Sequence, residues 1–213
     1  MIFRFQFAVM CVSAGMLIHA QDVVAPASAP QLPRLEGKER MKEYLKSLVR
    51  PSELFPIVLL AGFHEARNFP HEWGRTGTAF SQRLGSEYAQ LVLANTIELG
   101  FSAIHKEDNR YQRIGDGSSF MRRLGNVARS TVVVSNGQGG HTIALGQIAG
   151  AYGSWAIASQ TWEPRSEQST SSIFLWGSIH LAAKSGRNLI KEFGPDLRRK
   201  HTAATSLPPP PHP

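Results

Sequence analysis

The chain has 213 residues, 42% of them hydrophobic, and carries 23 Lys and Arg against 16 Asp and Glu, for a formal charge of +7. That length supplies one folded domain with its own core, and a single cysteine, Cys11, excludes an intrachain disulfide as the means of holding it together. The positive charge suits a polyanion such as an anionic lipid or an acidic envelope polymer.

At the N-terminus, Arg4 precedes an apolar run from Phe5 to Ile18, and the small residue Ala20 follows. This is the pattern of a secretory signal peptide, residues 1–20, and the run is short of the roughly 20 apolar residues that a membrane span needs. Cleavage after Ala20 removes Cys11, although the bulk of Ile18 leaves a later cut in the region Ala25 to Ala29 open. Ala8, Val9 and Met10 before Cys11 do not resemble a lipoprotein cleavage site. Export makes nucleic acid an unsuitable partner. Residues 21–37, with Pro26, Pro30 and Pro33, read as a flexible leader.

Residues 38–201 are expected to form a single, mainly all-α domain of about six helices. Met41, Tyr44, Leu45 and Leu48 form a first amphipathic stripe that stops before Pro51. Ser52 is expected to cap a second helix with an apolar centre from Leu54 to Phe63. The third and longest spans roughly Arg75 to His105. Phe80, Leu84, Tyr88, Leu91, Asn95 and Leu99 mark its expected inner face, and Arg83, Glu87 and Gln90 the opposite one.

After a polar loop, Phe120, Leu124, Ala128 and Thr131 predict a fourth helix. The β-branched run from Thr131 to Val134 and the turn residues Asn136 to Gly140 then allow a short β-hairpin near 131–145. A fifth helix is expected over Leu145 to Ser159. The sixth opens near Ser169 or Thr170 and is expected to stop at Phe193, Gly194 and Pro195, and the cations from Arg198 to His201 suit its C-terminal dipole. Residues 202–213, ending in Pro208 to Pro211, read as a disordered tail.

Small residues recur every fourth position in three helices: Gly77, Ser81, Gly85 and Ala89; Gly146, Gly150, Ser154 and Ala158; Ser178, Ala182 and Gly186. Such strips let helix backbones approach closely. From Ser130 to Trp162 there is no charged residue, so insertion of the Leu145 to Ser159 segment into a membrane is a second reading. Gln138, His141, Gln147 and Gln160 weigh against it.

The densest polar constellation is the loop His105, Glu107, Asp108, Arg110 and Tyr111, followed by Asp116. It is the candidate binding loop, and it offers acid, base and cation at short spacing. It lacks the alternating oxygen ligands and final Glu of a calcium-binding EF-hand. His64 and Glu65 open like a zinc-protease helix, but Asn68 stands where the second histidine is needed. Trp73 is expected to close the core beside His71 and Glu72, and His180 to be a core or interface histidine. Ser135 and Ser154 lack the flanking glycines of a hydrolase elbow, and Gly137, Gly139 and Gly140 match no nucleotide loop. No catalytic set, metal site or cofactor is expected.

The Glu-Asp-x-Arg-Tyr core within His105 to Tyr111 is joined by Phe120 to Gly125, Gly150 to Gly153, Trp162 to Pro164 and NLIKEFGPD over Asn188 to Asp196. Together these segments resemble an uncharacterised family of exported bacterial proteins, of acidobacterial type, across about Ser52 to Lys200. The resemblance implies a cell-envelope location and brings no activity. The leading expectation is a non-enzymatic structural or interaction protein of the periplasm or outer envelope. It would associate with itself, with another envelope protein, or peripherally with a membrane. An envelope hydrolase using Glu107 or Asp108, with Arg110 holding an anionic group, is the alternative.

Overall fold

A computed structural model of the chain describes residues 35–136 and 140–205. The expected signal peptide, most of the expected leader and the proline-rich end of the tail lie outside the described residues. Among the described residues, six α-helices and three short strands follow in the order α1 (Gly37–Val49), α2 (Pro51–Arg67), α3 (Gly77–His105), β1 (Glu107–Asp108), α4 (Phe120–Val132), β2 (Val133–Asn136), β3 (His141–Ile143), α5 (Leu145–Thr161) and α6 (Thr170–Thr205). The domain is mainly α-helical, with the expected hairpin present. Glu107 and Asp108, expected in a loop, add a third antiparallel strand by pairing with Asn136 and Ser135.

Local chemistry sets several of the helix ends. Thr76 Oγ1 accepts the Ala79 N–H at 3.1 Å to open α3, and Ser119 Oγ accepts that of Arg122 to open α4. Asn68 and Lys106 close α2 and α3 in the left-handed region, at φ 51° and 55°. Two ends differ from expectation. Helix α2 starts at Pro51, whose fixed φ fits the first helical position, so Ser52 lies inside it and caps nothing.

Helix α6 runs through Phe193, Gly194 and Pro195 to Thr205, past the expected stop and into the expected tail. Pro195 has no N–H to give Lys191. One residue further on, the Glu192 carbonyl is taken by Arg113 Nε at 2.8 Å and Arg123 Nη2 at 2.7 Å, so the backbone around the proline is held from outside the helix.

Helix α5 lies between α3 and α6, and its small residues make the close crossing expected of them. A Cβ at Gly150 would lie 2.6 Å from the Ala94 carbonyl oxygen, and one at Gly146 would lie 2.9 Å from that of Glu98. Ser154 and Ala158 are fully buried. The other two strips are not packing grooves. Gly77, Ser81 and Gly85 face solvent, and nothing stands within 4 Å of a Cβ at Gly85 or Gly186. On α6 the close approach is instead at Gly177, where a Cβ would strike the Tyr152 ring.

Gly150→Ala is therefore expected to destabilise the fold by about 1–3 kcal/mol, because the clash is with backbone. Gly85→Ala should stabilise it by about 0.5–1 kcal/mol through helix propensity. Urea denaturation of the two variants reads the difference in sign.

The interior is ionic and the exterior apolar to an unusual degree. Helix α3 also turns its expected polar face inward: Arg83 and Gln90 are buried along with Leu91 of the expected inner face, whereas Tyr88 from that inner face is exposed. Glu107, Glu163, Glu167 and Glu192 are buried as well, whereas Phe55 (66% exposed), Phe63 (56%), Phe174 (61%) and Ile190 (71%) face outward. For Arg83 and Glu192 burial follows satisfaction by partners, since a charged group with its bonds met can replace an apolar one inside. Arg123 is interior for the same reason: Glu192 and Asp196 hold it.

Candidate functional site

The loop 105–111 is divided among three tasks. His105 is exposed and stacks against Phe101, with ring centroids 6.2 Å apart. Glu107 is fully buried, and its Oε2 accepts the Gly146 N–H at 3.0 Å. A carboxylate is thus brought by β1 to the start of α5, a helix with no side-chain cap of its own. Asp108 grips Arg110 through Nε and Nη2, the latter at 2.6 Å. Tyr111 donates its hydroxyl to Glu192 Oε2 at 2.7 Å. Glu107 and Asp108 therefore do not converge on one reacting position.

Glu192 is the hub of the α4–α6 contact. Its carboxylate accepts Arg123 Nε at 2.7 Å, the Tyr111 hydroxyl, and the N–H groups of Ile114 and Gly115 at 3.3 and 3.2 Å. Burial works against its ionisation, but the Arg123 hydrogen bond, Tyr111 and the two backbone donors outweigh it and hold its pKa below the usual range. Asp196, one turn on, accepts from Arg123 at 2.5 Å and also from Arg113, and Arg123 draws its pKa down to about 2. The burial of Tyr111, together with its bond to Glu192, pushes the phenol above its ordinary range.

A second buried cluster joins α2, α3 and the turns beside them. Arg83 donates to the carbonyls of Phe69, Pro70 and Gly74 at 2.7, 3.0 and 2.9 Å and pairs with Glu65. Its guanidinium lies 5.9 Å from the Trp73 ring centroid. His64 Nδ1 stands 3.3 Å from Glu87, between the rings of Phe69 and Trp176. Ser86 and Gln90 hold Glu163, whose pKa is raised by burial and by the nearby Glu87 and Glu167. The enclosed space among these groups is about 10 Å³, room for one water and no substrate.

Among the described residues, a space that can admit a ligand lies between α1, α3, α6 and the segment 109–111. It is a cavity of about 310 Å³. Three ion pairs are built into its wall: Arg50 with Glu43 at 3.1 Å, Arg187 with Glu53 at 3.0 Å, and Lys184 with Glu98 at 2.6 Å. Asn109 Nδ2 also donates to Glu98, at 2.8 Å. Burial opposes ionisation of Glu98, yet Lys184 and Asn109 keep its pKa lowered. Beside this wall, burial first, then Arg187 and Lys184, push His180 down to about 4 against the opposing pull of Glu98, so the imidazole is neutral at pH 7.

Of the candidate loop, Arg110 and Tyr111 line this cavity, together with their neighbour Asn109; His105, Glu107 and Asp108 do not. The remaining charged lining comes from α1, α2, α3 and α6 and from Arg50 between α1 and α2. Sequence reading missed these residues because each looks like an ordinary solvated charge on a helix.

No protein-family model matches the chain, no characterised protein is detectably similar in sequence, and no solved structure matches the fold.

Proposed function

We propose that the chain is an exported, non-enzymatic protein of the cell envelope that lies against the membrane surface through the outer faces of α2 and α6. The observation that carries this reading is the reversed polarity of the bundle. The two helices run side by side in opposite directions, with His64 against Trp176 and Glu53 against Arg187. Phe55, Val58, Leu59 and Phe63 of α2 and Phe174, Leu175, Ile179 and Ile190 of α6 are exposed, and the charges of α6 between Thr170 and Ile190 point inward. Cations bound this surface, Arg67 at one end and Lys191, Arg198 and Arg199 at the other.

An apolar face rimmed by Lys and Arg matches the interface of an anionic bilayer. Among the described residues no helix is long and apolar enough to cross a membrane, so the contact proposed is peripheral. The reading of α5 as an inserted segment loses support, because that helix is enclosed by α3 and α6.

Vesicle flotation tests the proposal. The purified protein is expected to rise with vesicles containing phosphatidylglycerol, and the double variant Phe55→Asp, Ile190→Asp to remain behind with its circular dichroism unchanged. Equal flotation of both proteins, or of neither, overturns it. A dimer that persists without lipid and is dissolved by the same double variant would assign the face to self-association instead.

A further inference from the structure

The geometry points to the cavity between α1, α3 and α6 as a binding site for a small neutral ligand rich in hydroxyl groups, a single sugar or polyol ring. The wall is strongly polar, yet its charges are answered within the protein. Glu43, Glu53 and Glu98 each pair with a wall cation, at 3.1, 3.0 and 2.6 Å, and Asp108 holds Arg110 from just outside. Arg40 Nε donates to the Leu35 carbonyl at 3.2 Å, and Lys191 is open to solvent. An ionic ligand would gain a partner only by breaking one of these pairs and stranding its other member in a partly buried wall. An apolar ligand finds little to cover, since Leu35 and Leu99 are the only aliphatic residues among the described lining.

A paired cation and carboxylate set a donor beside an acceptor, and neither is exhausted by the other: a guanidinium has more N–H groups, and a carboxylate more lone pairs, than one partner uses. The complementary group is a hydroxyl, whose single oxygen donates to the carboxylate and accepts from the cation at once. Three such pairs around one cavity suit several hydroxyls fixed on one ring. Two amide atoms add to this. Asn95 Nδ2 is a buried donor on a lining residue with no hydrogen-bond partner, and Asn109 Oδ1 is a buried acceptor in the same condition. Unpartnered buried polar atoms cost stability, and here one of each kind adjoins the cavity. The terminal torsion of asparagine is soft, so the Asn95 amide can turn to a ligand at little cost. A volume near 310 Å³ is at the lower end of small-molecule sites, which limits the ligand to about one ring.

The inference does not depend on membrane contact, and its test contains no lipid. Saturation-transfer-difference NMR on the purified full chain takes glucose, N-acetylglucosamine and myo-inositol as neutral probes. Saturation transfer is expected for at least one of them, with a Kd on the order of 1 mM, ordinary for so small a ligand. Glucuronate and glucosamine, which place a carboxylate or an ammonium on the same kind of ring, should bind no more tightly. Asn95→Leu removes the unpartnered donor and breaks no described hydrogen bond, so it should fold with its thermal midpoint unchanged or raised. It is expected to weaken binding by about fivefold or more, the share of one hydrogen bond.

Tyr44→Phe removes a lining hydroxyl and should weaken binding by about two- to fivefold. Tyr152→Phe makes the same change outside the cavity, where the hydroxyl meets Ser178, and should leave the Kd as it is. Should Asn95→Leu fail to fold, the contrast between these two tyrosine variants decides. The inference is overturned if no neutral probe shows saturation transfer, or if the folded cavity variants bind as wild type does. It is overturned equally if a charged probe binds at least about tenfold more tightly than every neutral one, since the wall would then be selecting charge.

Discussion

Replacing Glu192 by alanine is expected to cost about 3–5 kcal/mol of folding stability, the range for removing one partner of a buried ion pair. The carboxylate is fully buried and accepts from Arg123, Tyr111, Ile114 and Gly115, so four donors lose their acceptor together. Water cannot replace it without opening the contact between α4 and α6. Glu192→Gln keeps the shape and removes the charge, and most of the loss should remain. The measurement is urea denaturation, with the midpoint falling and the slope unchanged. A loss below about 1 kcal/mol would place this network with ordinary surface pairs.

The same hub gives the acid limb of stability a direction. Glu192 and Asp196 both have folded-state pKa values below their unfolded ones. A carboxylate of that kind contributes stability that is present above its unfolded pKa and lost as pH falls through the folded one. Stability should therefore hold down to about pH 4 and decline toward pH 2. In Glu192→Gln the decline should be shallower, because one of the two protonation steps no longer exists.

Much of the architecture was legible because helix signals are local. Thr76 and Ser119 cap where a capping residue precedes apolar periodicity, and β2 and β3 pair as the β-branched run suggests. The α5 strip was legible too, because glycines four residues apart admit a neighbouring backbone whatever that neighbour is. Which face turns inward was not legible. In α3 the apolar periodicity and the polar periodicity are equally helical, and the choice between them depends on distant acceptors: the carbonyls of Phe69, Pro70 and Gly74 for Arg83, and Glu163 for Ser86 and Gln90.

The candidate loop shows the same limit. Its residues are close in sequence, but β1 alternates their sides, sending Glu107 to α5 and leaving Asp108 to hold Arg110 at the cavity's edge. Tyr111 and Arg123, far in sequence from α6, meet it at Glu192, and Asp196 joins them through Arg123. The cavity itself draws charged residues from four helices that no spacing rule connects.

Arg83→Met should be nearly as damaging as loss of Glu192, at about 3–5 kcal/mol, although methionine fills similar space without charge. Swapping a whole buried ion pair for apolar side chains is often harmless, but here only one member changes. The side chain of Arg83 is fully buried, and its Nε and two Nη groups serve three backbone carbonyls and Glu65. Those carbonyls belong to the turn that joins α2 to α3 and have no other acceptor-side partner as close as this guanidinium. The effect should therefore be local as well as global. In limited proteolysis the segment 68–76 is expected to become the first site cut, ahead of any change in helix content. Arg83→Lys retains the charge but concentrates its donors on one atom, which cannot reach acceptors spread over Phe69, Pro70 and Gly74, so it should recover less than half of the loss. Full rescue by lysine would mean that charge alone, through Glu65, holds the turn; failure of methionine to open it would mean that the carbonyls find water unaided. Either result would remove the reason given for why α3 turns its polar face inward.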